Sequence, residues 1–204
     1  MARGTVHIVD DDPAVARALA LIAISAGLEA QTHLSAEDFL ADFDPETTGC
    51  VVTDARMPGM SGLDLQRAVK ARDSATAVIM ITGHAAASLA VEALKGGATD
   101  FIEKPVVDSV FIAAVRDAVD VTRRQAARRA ADQAVATRVA QLSCREREVM
   151  DLVVDGLSSP VIGERLGISA RTVESHRARL MDKMGAESVA DLVRMGVRLR
   201  ADVE

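Results

Sequence analysis

Tryptophan and tyrosine are absent from the 204 residues, and phenylalanine occurs only four times. So few flat rings argue against a single-strand nucleic-acid binder built on base stacking. Cysteine occurs twice, as Cys50 and Cys144. The pair matches no metal-site spacing and outlines no disulfide framework, which points to a reducing cytoplasmic interior. No apolar run reaches the ~18 residues of a membrane-spanning helix. Met1-Ala2-Arg3-Gly4 leads straight into strand-like sequence, so neither a membrane partner nor an uncleaved secretory signal is expected. The residues that are present suit a folded protein: 49% are apolar and 26% charged, and the length suits one large domain or two small ones. Charge is unevenly spread. Residues 1–122 hold 18 acidic and 9 basic side chains, residues 123–204 hold 12 and 15, and the net charge is −6. This asymmetry fits two domains with different partners, the second facing a polyanion, although a solvated charged face gives the same count.

Over the first half, strand-like and helix-like periods alternate. The run Thr5–Val9 ends at Asp10-Asp11-Asp12, and Pro13 then opens a segment with apolar residues at helical spacing, closed by Gly27. Asp12 before Pro13 predicts a helix cap followed by a first helical position, where proline's missing N–H costs nothing. A weak strand over 28–34 leads to Ser35, which with Asp38 resembles a capping box for a helix over 36–43. The strand 50–53 ends at Asp54 and is followed by the loop Arg56-Met57-Pro58-Gly59-Met60-Ser61-Gly62 and a helix from about 63 to 71. The strand 77–81 ends at Thr82-Gly83, a helix occupies about 87–95, and the strand 100–103 ends at Lys104-Pro105. Five strands alternating with helices predict a doubly wound α/β fold with a five-stranded parallel sheet. From about Asp108 strands disappear. Residues 109–140 lack glycine and proline and predict one long helix running into a linker. Residues 143–200 predict four short helices, started by Ser143 with Glu146, Ser159 before Pro160, Ser169, and Ser188 with Asp191. The expected domains are 1–121, a helical linker 122–140, and an all-α domain 141–204.

In a doubly wound sheet the site lies beyond the carboxyl ends of the strands. Those ends here are Asp10 and Asp11, Asp54, Thr82 and Lys104. Three carboxylates at close quarters repel one another unless a cation neutralises them, and Mg²⁺ takes one or two carboxylates, waters and a phosphate oxygen. Asp54, alone at a strand end beside a loop, can act as a nucleophile on phosphorus. Lys104 offers a point charge, and Thr82 a hydroxyl, to the phosphoryl oxygens. Taken singly these residues have plainer readings: acids ahead of a helix complement its dipole, and Asp54-x-x-x-Pro-Gly can be a turn. Their coincidence at successive strand ends carries the argument.

The segments Val6-His7-Ile8-Val9-Asp10-Asp11-Asp12, Val52-Thr53-Asp54-Ala55-Arg56-Met57-Pro58-Gly59, Ile81-Thr82-Gly83-His84 and Asp100-Phe101-Ile102-Glu103-Lys104-Pro105 resemble the receiver domain of two-component response regulators, with wording nearest the FixJ branch. The resemblance implies a flavodoxin-like fold and Asp54 as phosphoacceptor. It implies Mg²⁺ on Asp10, Asp11, Asp54 and the backbone carbonyl of Arg56, and Thr82 with Phe101 as a switch pair. Lys104 becomes the phosphate partner, with a cis bond to Pro105. The loop His84-Ala85-Ala86-Ala87-Ser88 is plainer than the Gly- and Asp-containing loop common in that branch.

In the basic half, 159–166 and 169–184 have helix-turn-helix proportions about Gly167. Val173, Leu180 and Met184 are spaced to face a core. Arg171, Thr172, Glu174, Ser175, His176, Arg177, Arg179 and Lys183 form a polar face suited to a major groove or, on charge alone, to solvent. Leu142-Ser143-Cys144-Arg145-Glu146-Arg147-Glu148-Val149, Gly156-Leu157-Ser158, Ile162-Gly163-Glu164-Arg165-Leu166-Gly167-Ile168-Ser169 and Arg171-Thr172-Val173-Glu174-Ser175-His176 resemble the LuxR-type DNA-binding domain. The resemblance implies base contacts from Glu174, Ser175 and Ala178 and phosphate contacts from Arg171, Thr172, Arg177 and Arg179. Ser159-Pro160 stands where that family often has Asn-Lys, which removes a phosphate-binding lysine. The resemblances together imply a transcription regulator rather than an enzyme. Its partners would be a sensor histidine kinase, double-stranded promoter DNA, a second copy of the chain on phosphorylation, and RNA polymerase as a further candidate. Two alternatives are a DNA-binding protein whose unphosphorylated receiver serves only to dimerise, and a phosphoaspartate phosphotransferase or phosphatase acting on small molecules. The four histidines are scattered and assigned to no metal.

Overall fold

The computed structural model describes residues 4–45, 49–72, 75–83 and 87–201. The chain divides into two compact units, Met1–Ala127 and Arg128–Glu204. In the first, β1 (Thr5–Val9), α1 (Pro13–Ser25), β2 (Glu29–His33), α2 (Ala36–Asp42), β3 (Gly49–Asp54), α3 (Gly62–Arg72), β4 (Ala77–Thr82), α4 (Ala87–Lys95) and β5 (Asp100–Glu103) alternate as expected, ahead of the long α5 (Asp108–Ala140). All paired strands are parallel, in the order β2-β1-β3-β4-β5. The register sets Val9 beside Thr53, Asp54 beside Ile81, and Thr82 beside Glu103, so the carboxyl ends of the four central and edge strands meet along one rim.

Both faces of the sheet are covered, so β3 and β4 are apolar throughout rather than alternating. Val6, Ile8, Val52, Ile79 and Ile81 pack with α1 and with Phe111 and Val115 of α5. Val9, Val51 and Val78 pack with Phe39 of α2 and Leu65 and Val69 of α3. Each such side chain contributes roughly 1.5–3 kcal/mol by leaving water. Asp12 caps α1, its carboxylate accepting from the N–H groups of Ala14 and Val15, and Ser35 caps α2 through the N–H of Asp38. His7 and His33, on neighbouring strands, share a 3.2 Å hydrogen bond beside Phe39. Burial, then the charge of His33, pushes His7 down to about 4; burial also lowers His33. Both rings are therefore neutral near pH 7.

The second unit holds α6 (Cys144–Val154), α7 (Ser159–Leu166), α8 (Ala170–Met184) and α9 (Val189–Ala201) around Val149, Met150, Ile162, Val173, Leu180, Met184 and Leu192. Ser143 and Glu146 form a full capping box at α6, and Gly167, at φ +66°, makes the left-handed turn from α7 to α8. The segment 122–140, expected as a separate linker after a domain ending at 121, is divided between the units. Thr122 is buried and its hydroxyl accepts from the N–H of Ala77, whereas Val135 belongs to the second core and Asp132 pairs with Arg198 at 2.6 Å. A further correction concerns Ser159, expected as a helix cap. It is the first residue of α7, preceded by Ser158 at the cap position, and its hydroxyl is engaged elsewhere. Of the loop 84–88, residues 84–86 and the side chains of 87 and 88 lie outside the described residues. Among the described residues no helix is long and apolar enough to cross a membrane.

Candidate functional site

Asp10 follows β1 and is 2% exposed. Its Oδ1 accepts from the N–H of Asp12 at 2.9 Å, which leaves Oδ2 for the rim. Asp54 closes β3; its Oδ1 accepts from the N–H of Arg56 at 2.9 Å. The ammonium of Lys104, just past β5, donates to Asp54 Oδ2 at 2.5 Å and to Asp10 Oδ2 at 2.9 Å. The lysine backbone is fixed by its own N–H, which donates to the carbonyl of Thr82 at 2.8 Å, and its bond to Pro105 is cis. Desolvation opposes the charge on Lys104, but the hydrogen bonds and charges of Asp54 and Asp10 outweigh it, and its pKa rises above the ordinary lysine value. One cation thus bridges two carboxylates contributed by adjacent strands.

Thr82, 1% exposed, ends β4 next to this group. Phe101 is half-buried on β5 and packs against Ala55, Met80 and Ala93. Asp11 is exposed, and the Lys104 ammonium bonds Asp10 and Asp54. Among the described residues no three of His, Cys, Asp and Glu are gathered as a ready-made metal cage. The donor set nevertheless fits Mg²⁺, which is satisfied by one or two hard carboxylates completed by waters; Asp10 and Asp54, held on one ammonium, provide those two. The loop after β3 is pinned where it runs into α3. A Cβ on Gly62 would lie 2.1 Å from the carbonyl oxygen of Asp54, so only glycine lets α3 start this close to the strand. The carboxylate of Glu37, reaching from α2, accepts from the N–H of Met60 at 3.1 Å. Sequence reasoning missed Glu37, because its partner lies 23 residues away and nothing local marks it.

On α8, Val173, Leu180 and Met184 are fully buried, and Arg171, Thr172, Glu174, Ser175, Ala178 and Arg179 are exposed, with His176 and Arg177 intermediate. Ser169 caps this helix through the N–H of Thr172 and also bonds its hydroxyl. Lys183, near the C-terminal end of the same helix, is exposed and also reaches back to the bundle. Its ammonium donates to Glu146 at 2.7 Å, and Glu146 is 4% exposed. The Lys183 bond, helped by the Ser143 backbone and hydroxyl, holds the Glu146 carboxyl down to about 2. Lys183, itself partly exposed, therefore neutralises the buried Glu146 carboxylate from the surface of the bundle. The two thiols stand apart from both sites: Cys50 is buried, which pushes it up to about 12, and Cys144 is exposed at the start of α6.

A parallel sheet with a lysine-bridged acidic rim, on a chain that also carries a helix-turn-helix bundle, is the architecture of two-part signalling regulators. Comparison with known families gives the same division. The response regulator receiver domain matches residues 6–116, and the luxR family of bacterial regulatory proteins matches residues 140–196. The chain is 48% identical over 192 residues to the transcriptional regulatory protein FixJ of Azorhizobium caulinodans, covering 94% of this chain and 91% of that protein. It is 45% identical over 193 residues to the C4-dicarboxylate transport transcriptional regulatory protein DctR of Rhodobacter capsulatus, covering 94% and 98%. Among solved structures it resembles the response regulator StyR, with a TM-score of 0.84 at 36% identity over 97% of this chain and 100% of that one. Full-length FixJ from B. japonicum gives 0.59 at 39% identity over 98% and 99%. The chain belongs to the FixJ/NarL family of response regulators, which join a receiver to a LuxR-type helix-turn-helix domain. It is a phosphorylation-controlled, DNA-binding transcription regulator, and its relatives FixJ and DctR are transcriptional regulatory proteins.

Proposed function

We propose that Asp54 is the phosphoacceptor and that a sensor histidine kinase is the donor. The observation that carries this reading is the Lys104 ammonium bridging Asp54 and Asp10 at the strand ends. In the transfer, an Asp54 oxygen attacks the phosphorus of the donor's phosphohistidine. A P–O bond forms, the P–N bond breaks, and its electron pair stays with the donor imidazole. Lys104, kept charged by its raised pKa, exchanges a carboxylate oxygen for a phosphoryl oxygen. The Thr82 hydroxyl donates to a second phosphoryl oxygen, and Phe101 repacks with it as the other half of the switch. Asp10, Asp11, Asp54 and the backbone carbonyl of Arg56 are the groups that would hold Mg²⁺, whose positive charge offsets the repulsion between the carboxylates and the incoming anion.

The new charge of about −2 biases a two-state element, and the surface of α4 and β5 then pairs two copies of the chain. Pairing sets two α8 helices on half-sites of promoter DNA about one helical turn apart. Arg171, Thr172, Arg177 and Arg179 address phosphates, and Glu174, Ser175 and Ala178 address bases, with His176 on the same face. Lys183, exposed near the end of the same helix, completes the set while also holding Glu146. RNA polymerase is the further partner of the DNA-bound dimer, and the cytoplasm is where these partners meet. The test is labelling with a small phosphodonor and Mg²⁺, followed by mass spectrometry of the intact chain. Wild type gains one phosphoryl group and Asp54→Asn gains none; undiminished labelling of the variant refutes the assignment.

A further inference from the structure

Ser159 is 7% exposed, yet neither its backbone position nor a capping role accounts for a buried hydroxyl there. That hydroxyl is committed to the next helix. It donates to Glu174 Oε1 and accepts from Arg177 Nη1 at 2.8 Å. A hydroxyl has one hydrogen and two lone pairs, an ionised carboxylate can only accept and a guanidinium can only donate, so the polarity of this relay is fixed. Both partners are charged, which places the two bonds among the stronger ones. Glu174 and Arg177 lie three residues apart on α8, 3.9 Å between their nearest charged atoms, with side chains 62% and 22% exposed. Ser159 thus grips one group that reaches toward solvent and one that is mostly covered.

We infer that Ser159 is a specificity-determining positioning residue: by holding the Glu174 and Arg177 side chains from α7, it decides how the Glu174 carboxylate meets a base. The inference rests on the DNA-binding reading above and deepens it. With Oε1 committed to Ser159, Oε2 remains as the acceptor for a base donor, and the amino group of cytosine is the major-groove donor that a carboxylate reads. Without Ser159, Glu174 rotates freely and its nearest cation is Arg177, a pairing that carries no base information. Pre-ordering the carboxylate removes an ordering cost from binding and narrows the geometries it accepts.

The experiment is selection of bound duplexes from a random double-stranded DNA pool by the full chain, comparing wild type, Ser159→Ala, Ser159→Thr, Glu174→Ala and the double variant Ser159→Ala/Glu174→Ala. Ser159→Ala is expected to lower discrimination by roughly 5- to 10-fold at the base pair that Glu174→Ala also affects, and to leave the other positions unchanged. Ser159→Thr, which keeps the hydroxyl, restores the wild-type preference. The double variant is no worse than Glu174→Ala alone, since the serine acts through the glutamate. Helicity and thermal unfolding confirm that each variant is folded; should the alanine variant not fold, Ser159→Cys, close in size but a weak donor, takes its place. A folded Ser159 variant with an unchanged preference at that base pair, or losses that simply add in the double variant, overturns the inference. If Glu174→Ala changes no base preference, what fails is the base-reading role of Glu174 itself.

Discussion

At the scale of single residues, the charge on Lys104 has two consequences that can be separated. It prepares the rim for an anion, and it keeps Asp10, 2% exposed, from being an uncompensated buried charge. Removing one partner of a buried pair costs more than the pair contributes, because the other charge is left stranded. Lys104→Met is expected to destabilise the first unit by about 2 kcal/mol at pH 7, allowing for the lysine's partial exposure. Adding Asp10→Asn recovers at least half of that in urea unfolding; if it recovers nothing, the stranded charge is not the cause. Glu146 gives a pH dependence of definite sign. Its folded-state pKa of about 2 lies below the ordinary carboxylate value, so its contribution is complete above that ordinary value and is lost as pH falls toward 2. The stability of the second unit is expected to drop over that window, and Glu146→Gln to flatten the drop. An equal acid response in both proteins would show that other carboxylates dominate. Asp10, Asp54, Thr82 and Lys104 could be read from sequence because each directly follows or ends a strand. Glu37, Ser159 and the real partner of Lys183 could not, because their bonds span 23, 15 and 37 residues and leave no local pattern.

At the scale of elements, the start of α3 is the most constrained point near the site. Gly62 is there because a methyl group would run into the carbonyl of Asp54, and the strand end that would have to yield is the one carrying the proposed acceptor. Gly62→Ala is expected to destabilise by roughly 1–3 kcal/mol, the usual range for overpacking, and to slow labelling by a small phosphodonor. Wild-type stability and labelling in the variant would mean that α3 shifts freely. The helices show both how far capping rules reach and where they stop. Asp12, Ser35, Ser143 and Ser169 cap as their positions predict, since a cap bond needs only neighbours two or three residues away. Ser159 satisfies the same sequence rule and does not cap: the helix begins one residue earlier, and a carboxylate and a guanidinium on α8 take the hydroxyl.

At the scale of the whole chain, two separate cores share one helix. Phe111 and Val115 of α5 belong to the sheet's core, and Val135 of the same helix belongs to the helical bundle. Asp132 and Arg138 add an ion pair to Arg198 and a hydrogen bond to the carbonyl of Met184. A fragment 128–204 is therefore expected to unfold at a higher temperature than a fragment 141–204, by several degrees for a loss of about 1–2 kcal/mol in so small a unit. Equal melting temperatures would mean that the end of α5 adds nothing to the bundle. The expected boundary at 121 rested on apolar positions thinning after Val121, and a thinning pattern cannot show that a lone valine farther on is buried.

What the sequence determined by itself is the order of elements, the parallel doubly wound sheet, the helix-turn-helix, and the four polar strand ends. All of these follow from local periodicity, capping and the rule that sites lie beyond strand ends. Tertiary structure alone decided that Lys104 bridges Asp10 and Asp54, that Asp11 stays outside that bridge, that Lys183 serves Glu146, and that Ser159 holds the recognition helix. The physical reason is range: backbone hydrogen bonding and hydrophobic spacing are written within a few residues, whereas the partner of a charged or hydroxyl side chain is fixed only when packing brings distant elements within about 3 Å.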